Sequence, residues 1–306
     1  MSATTSSGRI EVAKTLKLYV NGAFPRSESG RTVLVLDAKK RAFAHASHAS
    51  RKDLRDAVEA ASAAQPKWAA ATAYNRGQVL YRLAEMLEAR RAEFASLMLS
   101  IEGRSKADAT KEVDRAIDRC VCFAGWTDKI AAVLGGKQPV AGPYFVFTMP
   151  EAMGTVAVVM PDERPLLSLV SLLLPVIAAG NATIIVAPIT AASGKGKPTA
   201  NAPLAIAFAE AVATSDVPAG IINILTGARA ELCPWIASHR EIAGVAGARL
   251  PAADAKALEL GAAENLKRVH LFHDAPAFDD DAFWHSPFAI QPFVDLKTVW
   301  HPSALH

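Results

Sequence analysis

Cysteine is almost absent from these 306 residues: Cys120, Cys122 and Cys233 are the whole supply, and none follows Cys233. Three thiols are too few for a disulfide framework and fit a reducing compartment. Charge of one sign is lacking too. Lys and Arg number 33 against 30 Asp and Glu, a net charge of +3. The basic residues are scattered, which argues against a nucleic-acid partner. No long hydrophobic run exists: the longest, 166–179, contains Pro175 and falls short of the ~20 residues a membrane span needs. The opening MSATTSSGRIEVAKTLKLYVNG has no apolar core like that of a signal peptide, and 1–16 reads as a disordered tail. These absences predict a cytoplasmic protein with no membrane partner.

What is present is an ordinary globular composition, 51% apolar and 21% charged, with ample material for a large core. A strand, a tight turn at Asn21-Gly22 and a return are expected over 17–24. Ser50 and Asp53 offer cap chemistry before a helix over 54–70. Val79, Leu80, Leu83, Leu87, Phe94, Leu97 and Leu99 recur at helical spacing through 75–102, with Gly103 as a stop. A third helical stretch spans 108–132, so the first 135 residues read as mainly helical. Strands then alternate with helices: strands at 144–149, 154–160, 182–187, 221–225 and 242–246, helices at 166–179, 203–214 and 231–239. That alternation predicts an α/β fold with a doubly wound, Rossmann-like parallel sheet, which takes ligands at the carboxyl ends of its strands.

Several strings then carry a specific likeness. The helical NRGQVLYRLAEMLEARRAEFASLMLSIEGRS (75–105), EAMGTVAVVMPDERPLLSLVSLLLPVIAAGNATIIVAP (151–188), VPAGIINILTG (217–227), LELG (258–261) and the terminal FVDLKTVWH (293–301) follow one another. In that order they resemble the aldehyde dehydrogenase superfamily, which writes EPxGVVxxIxPWNFP, LPxGVxNxVxG and LELGG. The resemblance implies a cofactor-binding domain with N-terminal helices over 17–270. A short connection and a C-terminal oligomerisation strand would fill 271–306. It also implies NAD or NADP as cofactor, with contacts at Pro161, Asp162, Gly227, Gly247 and Gly261.

The departures weigh against chemistry. PWNFP is PDERP here, so the oxyanion-binding asparagine becomes Glu163, which repels an oxyanion when ionised. The ribose-gripping Lys-Pro becomes Ala187-Pro188, its following glutamate aligns with Thr190, and FTGS becomes Val245-Ala246-Gly247-Ala248. Glu259 and Gly261 of LELG remain, but the second glycine is Ala262. The segment that carries the family's nucleophilic cysteine has no counterpart, so the catalytic domain is expected to be absent.

No other residue is expected to replace it. Cys120 and Cys122 lie two apart on a predicted helix and so on different faces, as core filler. Cys233 precedes Pro234 near a predicted helix start, with no His and carboxylate pattern beside it. The loop 193–199, with Gly194, Lys195, Gly196 and Lys197, lacks P-loop spacing and reads as solvated. His270 and His273 face opposite sides of a strand-like stretch, so no metal is expected. Asp279, Asp280 and Asp281 read as a wet surface. Glu163 and Glu259 would make an acid–base pair only across one cleft, and Arg164 is a candidate to neutralise Glu163.

The resulting expectation is a catalytically deficient protein, similar to the C-terminal pseudo-domain of two-domain members of the superfamily. No cofactor is certain, and NAD or NADP would bind weakly. The protein would work as a homo-oligomer, or as a hetero-oligomer with a full-length aldehyde dehydrogenase, through an edge built from Phe293, Val294, Leu296, Val299 and Trp300. The rival expectation is an NAD(P)-dependent aldehyde oxidoreductase, residual or completed by a partner's catalytic domain. A third is a nucleotide sensor without chemistry.

Overall fold

The computed structural model describes residues 12–189 and 199–303. It opens with a small sheet, β1 (Lys14–Leu16), β2 (Thr32–Leu36) and β3 (Ala42–Ser47), ordered β1-β3-β2. Two expectations are corrected here. The tail does not extend to residue 16, because Lys14–Leu16 pairs in parallel with β3 and buries Leu16. The first 135 residues also hold a sheet that the helical reading missed. Its central strand buries Ala44 and Ala46, and alanine carries little strand signal of its own; tertiary packing overrides propensity. The turn at Asn21 and Gly22 does form, at positive φ (51° and 76°), closed by reciprocal Val20–Ala23 backbone bonds.

Helix α1 (Arg51–Ala70) starts from the expected cap: Ser50 accepts from the Asp53 amide, and Asp53 reaches back to the Ser50 amide. The periodic run over 75–102 is two helices, α2 (Ala73–Ala89) and α3 (Arg91–Glu102), broken at Arg90. One non-helical residue hardly shifts the apolar spacing, so periodicity cannot see the break. Gly103 ends α3 in the left-handed region, φ 67°. Helix α4 (Lys106–Trp126) and a short α5 (Ile130–Leu134) follow.

The chain then lays down β4 (Gly136–Gln138), β5 (Tyr144–Ala152), β6 (Thr155–Val159), α6 (Pro165–Ala178), β7 (Ala182–Pro188), α7 (Asn201–Ala213) and β8 (Ile222–Gly227). It continues through α8 (Arg229–Ser238), β9 (Ile242–Ala248), α9 (Ala252–Ala262), β10 (Arg268–Phe272), α10 (Asp281–Trp284) and β11 (Val294–Pro302). Five strands form the doubly wound parallel sheet in the order β10-β9-β6-β7-β8. The chain winds from β6 outward to β8, then crosses back to β9, which puts the topological switch between β6 and β9.

Every residue of α6 is buried, so the longest apolar run is a core helix. Among the described residues no helix is long and apolar enough to cross a membrane. Fully buried Asn181 accepts from the Met153 and Gly154 amides and donates to the carbonyls of Val176 and Phe293. That one side chain ties the β5–β6 turn, the end of α6 and the C-terminal strand together. The stretch between β10 and β11 is more than a connection, since it buries Phe278, Trp284 and Ile290 in the core. A third sheet, β11-β5-β4, is antiparallel, with all nine residues of β11 paired to β5.

Candidate functional site

A nucleotide on this fold would lie over the carboxyl ends of β6 and β9. Four of the five cofactor positions implied by the sequence, Pro161, Asp162, Gly227 and Gly247, do gather at this end of the sheet. Gly261 does not. The whole LELG string lies inside α9, where a Cβ on Gly261 would collide with the Cβ of Ala237 on α8. Glycine is needed there for two helices to approach.

The remaining positions are occupied by the protein itself. Buried Pro161 gives its carbonyl to the Asn201 amide group at 2.9 Å. Arg229, the first residue of α8 and only 9% exposed, reaches over the switch. It donates to the Met160 carbonyl (2.8 Å) and to Asp254 (3.1 Å), and it pairs with Asp162. A Cβ on Gly247 would lie 2.9 Å from a methyl of Leu250 and 3.0 Å from one of Leu271. The space that a glycine there opens is filled by this chain's own leucines. A Cβ on Gly227 would likewise meet Ala49 and Leu232, at 3.4 and 3.6 Å.

The start of α6 is closed as well. Free amides at a helix start are the natural seat of a phosphate. Here the carboxylate of Glu112, fully buried on α4, accepts from the Leu166 and Leu167 amides at 3.0 and 3.2 Å and pairs with Arg104. Beside it a hollow of about 390 Å³ is lined by Glu102, Arg104, Asp108, Asp162, Glu163, Arg164 and Thr199. Its four carboxylates against two guanidiniums disfavour an anionic ligand. The hydrogen bond from Arg104 to Asp108 pulls that carboxyl down to about 2, so it is ionised at neutral pH. Among the described residues, α8 and α9 both start near this crevice without a side-chain cap.

The carboxylate pair imagined between Glu163 and Glu259 is not built. Glu163 pairs with Arg249, and Glu259 on α9 with His273 at 2.8 Å. Arg164 does not neutralise Glu163 either. Held at φ 48°, it turns to Asp108 (2.9 Å), Glu112 (3.7 Å) and Asp279 (3.8 Å).

The sequence profile of the aldehyde dehydrogenase family matches residues 24–272. The chain belongs to that family. It is 31% identical over 214 residues to an α-ketoglutarate semialdehyde dehydrogenase of Haloferax volcanii, covering 69% of this chain and 42% of the relative. It is 30% identical over 261 residues to cytosolic aldehyde dehydrogenase 1 of Elephantulus edwardii, covering 83% and 49%. Among solved structures, PnpE in complex with nicotinamide adenine dinucleotide superposes with a TM-score of 0.73 at 26% identity, covering 83% of this chain and 50% of that one. A mutant aldehyde dehydrogenase from Bacillus cereus matches in fold, with a TM-score of 0.75 at 23% identity, over 84% and 50%. The chain spans about half the length of the relatives it matches.

Aldehyde dehydrogenases are normally enzymes, and the resemblance assigns their nucleophile to a cysteine thiolate. Of the three thiols here, Cys120 and Cys233 are buried and Cys122 is partly exposed. Burial pushes Cys120 and Cys233 up to about 12 and raises Cys122 as well. Cys233 is not at a helix start as expected; it lies in the second turn of α8, inside the core. Ala187, Val245, Ala246 and Ala248 are core residues of their strands, Pro188 ends β7, and Ala262 ends α9. His270 stacks edge-on against Phe272 at 4.2 Å, and among the described residues no cluster of three metal-ligating side chains exists. Thr190 and the loop residues Gly194, Lys195, Gly196 and Lys197 lie outside the described residues.

The acidic run stays partly exposed, but two of its carboxylates pair with arginines. Asp281 binds fully buried Arg119 at 2.7 Å, Asp279 lies 3.5 Å from Arg115, and Asp280 caps α10. Arg229, Glu112 and Arg119 are the residues that sequence reasoning missed. Their only signal was a charged residue beside a strand end or on an otherwise apolar helix face.

Proposed function

We propose that this chain is a non-catalytic member of the aldehyde dehydrogenase family that works by association, with itself or with a full-length aldehyde dehydrogenase. The observation that carries the reading is Arg229, folded into the cofactor crevice on Met160, Asp162 and Asp254. A dinucleotide would have to displace charge-assisted hydrogen bonds that are already made. The burial of Cys120 and Cys233 supports the same reading. Residual affinity for NAD or NADP rests on the uncapped starts of α8 and α9 and is therefore weak. Calorimetric titration with either nucleotide should give no binding heat below millimolar concentration; a micromolar dissociation constant would sink the closed-crevice argument.

For association, the useful surface is narrower than the sequence suggested. Phe293 and Val294 are core residues, 2% and 3% exposed, whereas Leu296, Val299 and Trp300 are exposed on β11. No other described strand pairs with the outer edge of β11. Truncation after Val294 therefore spares the core while removing the edge. Sedimentation should show the full chain associated and the truncated one monomeric, with cooperative thermal unfolding kept in both. An unchanged mass after truncation would overturn the role given to this strand.

A further inference from the structure

We propose that the occupant of the open β11 edge is the β11 strand of a second copy, antiparallel, in the register that sets Thr298 opposite itself. This rests on the association reading above and names its partner and geometry.

The argument starts from symmetry. A two-fold axis normal to a sheet maps each face onto itself. Directly opposed residues share a face, so in a two-fold pair some residue must oppose its own copy. Within Val294–Pro302, a centre at Thr298 lets all nine residues overlap. It sets Leu296 against Trp300 twice, Asp295 against His301 twice, and Lys297 against Val299. No like charges meet.

The neighbouring registers are worse. Centring on Lys297 puts two ammonium groups face to face, which destabilises a strand pair. Centring on Val299 sets Lys297 against His301 and Leu296 against Pro302. Centring on Leu296 or Trp300 overlaps only five residues.

The surroundings fit the same centre. Leu296 and Trp300 are 49% and 58% exposed, and Trp300 already stands edge-on to Tyr144 at 5.7 Å. Gln138, Thr148 and Thr298 form a polar ladder across the sheet at 3.2 and 3.0 Å, and a second Thr298 would continue it through the axis. Lysine commonly guards an exposed edge, but Lys297 is drawn back onto Glu151 of β5. Pairing would merge two three-stranded sheets into one of six and leave the short β4 strands at its rims.

The test is cysteine cross-linking of the full chain under mild oxidation. Self-opposed residues across an antiparallel pair have Cβ atoms about 4.5–5.5 Å apart, close to disulfide reach. Thr298→Cys should therefore give a reducible covalent dimer. Val299→Cys and Lys297→Cys, which each face a different residue, should not. The unsubstituted chain is the control for the native thiols, of which Cys120 and Cys233 are buried and Cys122 is partly exposed. Thr298→Lys, at an exposed position, should convert the dimer to monomer in sedimentation without loss of folding.

If the chain associates but Thr298→Cys does not cross-link, or Val299→Cys cross-links equally well, the register is wrong while association stands. If the unsubstituted chain is monomeric at every concentration, both the register and self-association fail.

Discussion

Replacing Glu112 with alanine should destabilise the protein by about 3–5 kcal/mol, the range for removing one partner of a buried ion pair. The side chain is wholly buried and serves two masters. Its carboxylate satisfies the Leu166 and Leu167 amides at the start of α6, and it balances Arg104. Alanine leaves both amides without an acceptor inside the core, at ~1–3 kcal/mol for each unsatisfied group. Arg104 is cushioned, because Asp108 and Glu102 still hold it. Glu112→Gln keeps an acceptor for the amides but turns an NH2 group toward Arg104, so it should fall between the two. Chemical denaturation midpoints of the three proteins would check the order. A loss below about 1 kcal/mol for alanine, the net worth of one ordinary hydrogen bond, would show that water replaces the carboxylate and that the start of α6 is open to ligands after all.

The second large effect is expected at Arg119. Its guanidinium, fully buried on α4, donates to Ser171 on α6, to the Phe278 carbonyl at 3.0 Å and to Asp281 at 2.7 Å. It is the pin between the helical layer and the stretch that leads to β11. Methionine would fill much of the volume but strand the Phe278 carbonyl and one side of Asp281. Asp281 is partly exposed and keeps Arg115 at 3.7 Å, so the loss should sit at about 3 kcal/mol, the low end for a broken buried pair. The damage should also be local: backbone amide exchange in 278–285 should accelerate before the parallel sheet opens. Uniform acceleration across the molecule would contradict the pin.

Much of the fold was legible because buried parallel strands and core helices write themselves as apolar runs. Val156 to Val159 and Ile184 to Val186 are fully buried, and no polar residue interrupts either run. The start of α1 was legible for a local reason: both partners of its capping box lie within four residues. The small N-terminal sheet was not, since Ala44 and Ala46 are strand residues only because something packs on them. The LELG string misled for a related reason. Four matching letters cannot tell a helix–helix contact from a ligand-facing turn, and only the position of Ala237 against Gly261 decides.

By itself the sequence determined the alternation of strands and helices and the kinship with aldehyde dehydrogenases. Those properties depend on residue type and near-neighbour spacing. The tertiary structure alone decided that Arg229 and Glu112 reach into the crevice and that the acidic run near the end pairs with Arg115 and Arg119. It also decided which part of the last strand is core and which is open edge. Charges choose partners by distance in space, and Arg119 and Asp281 stand 162 positions apart along the chain.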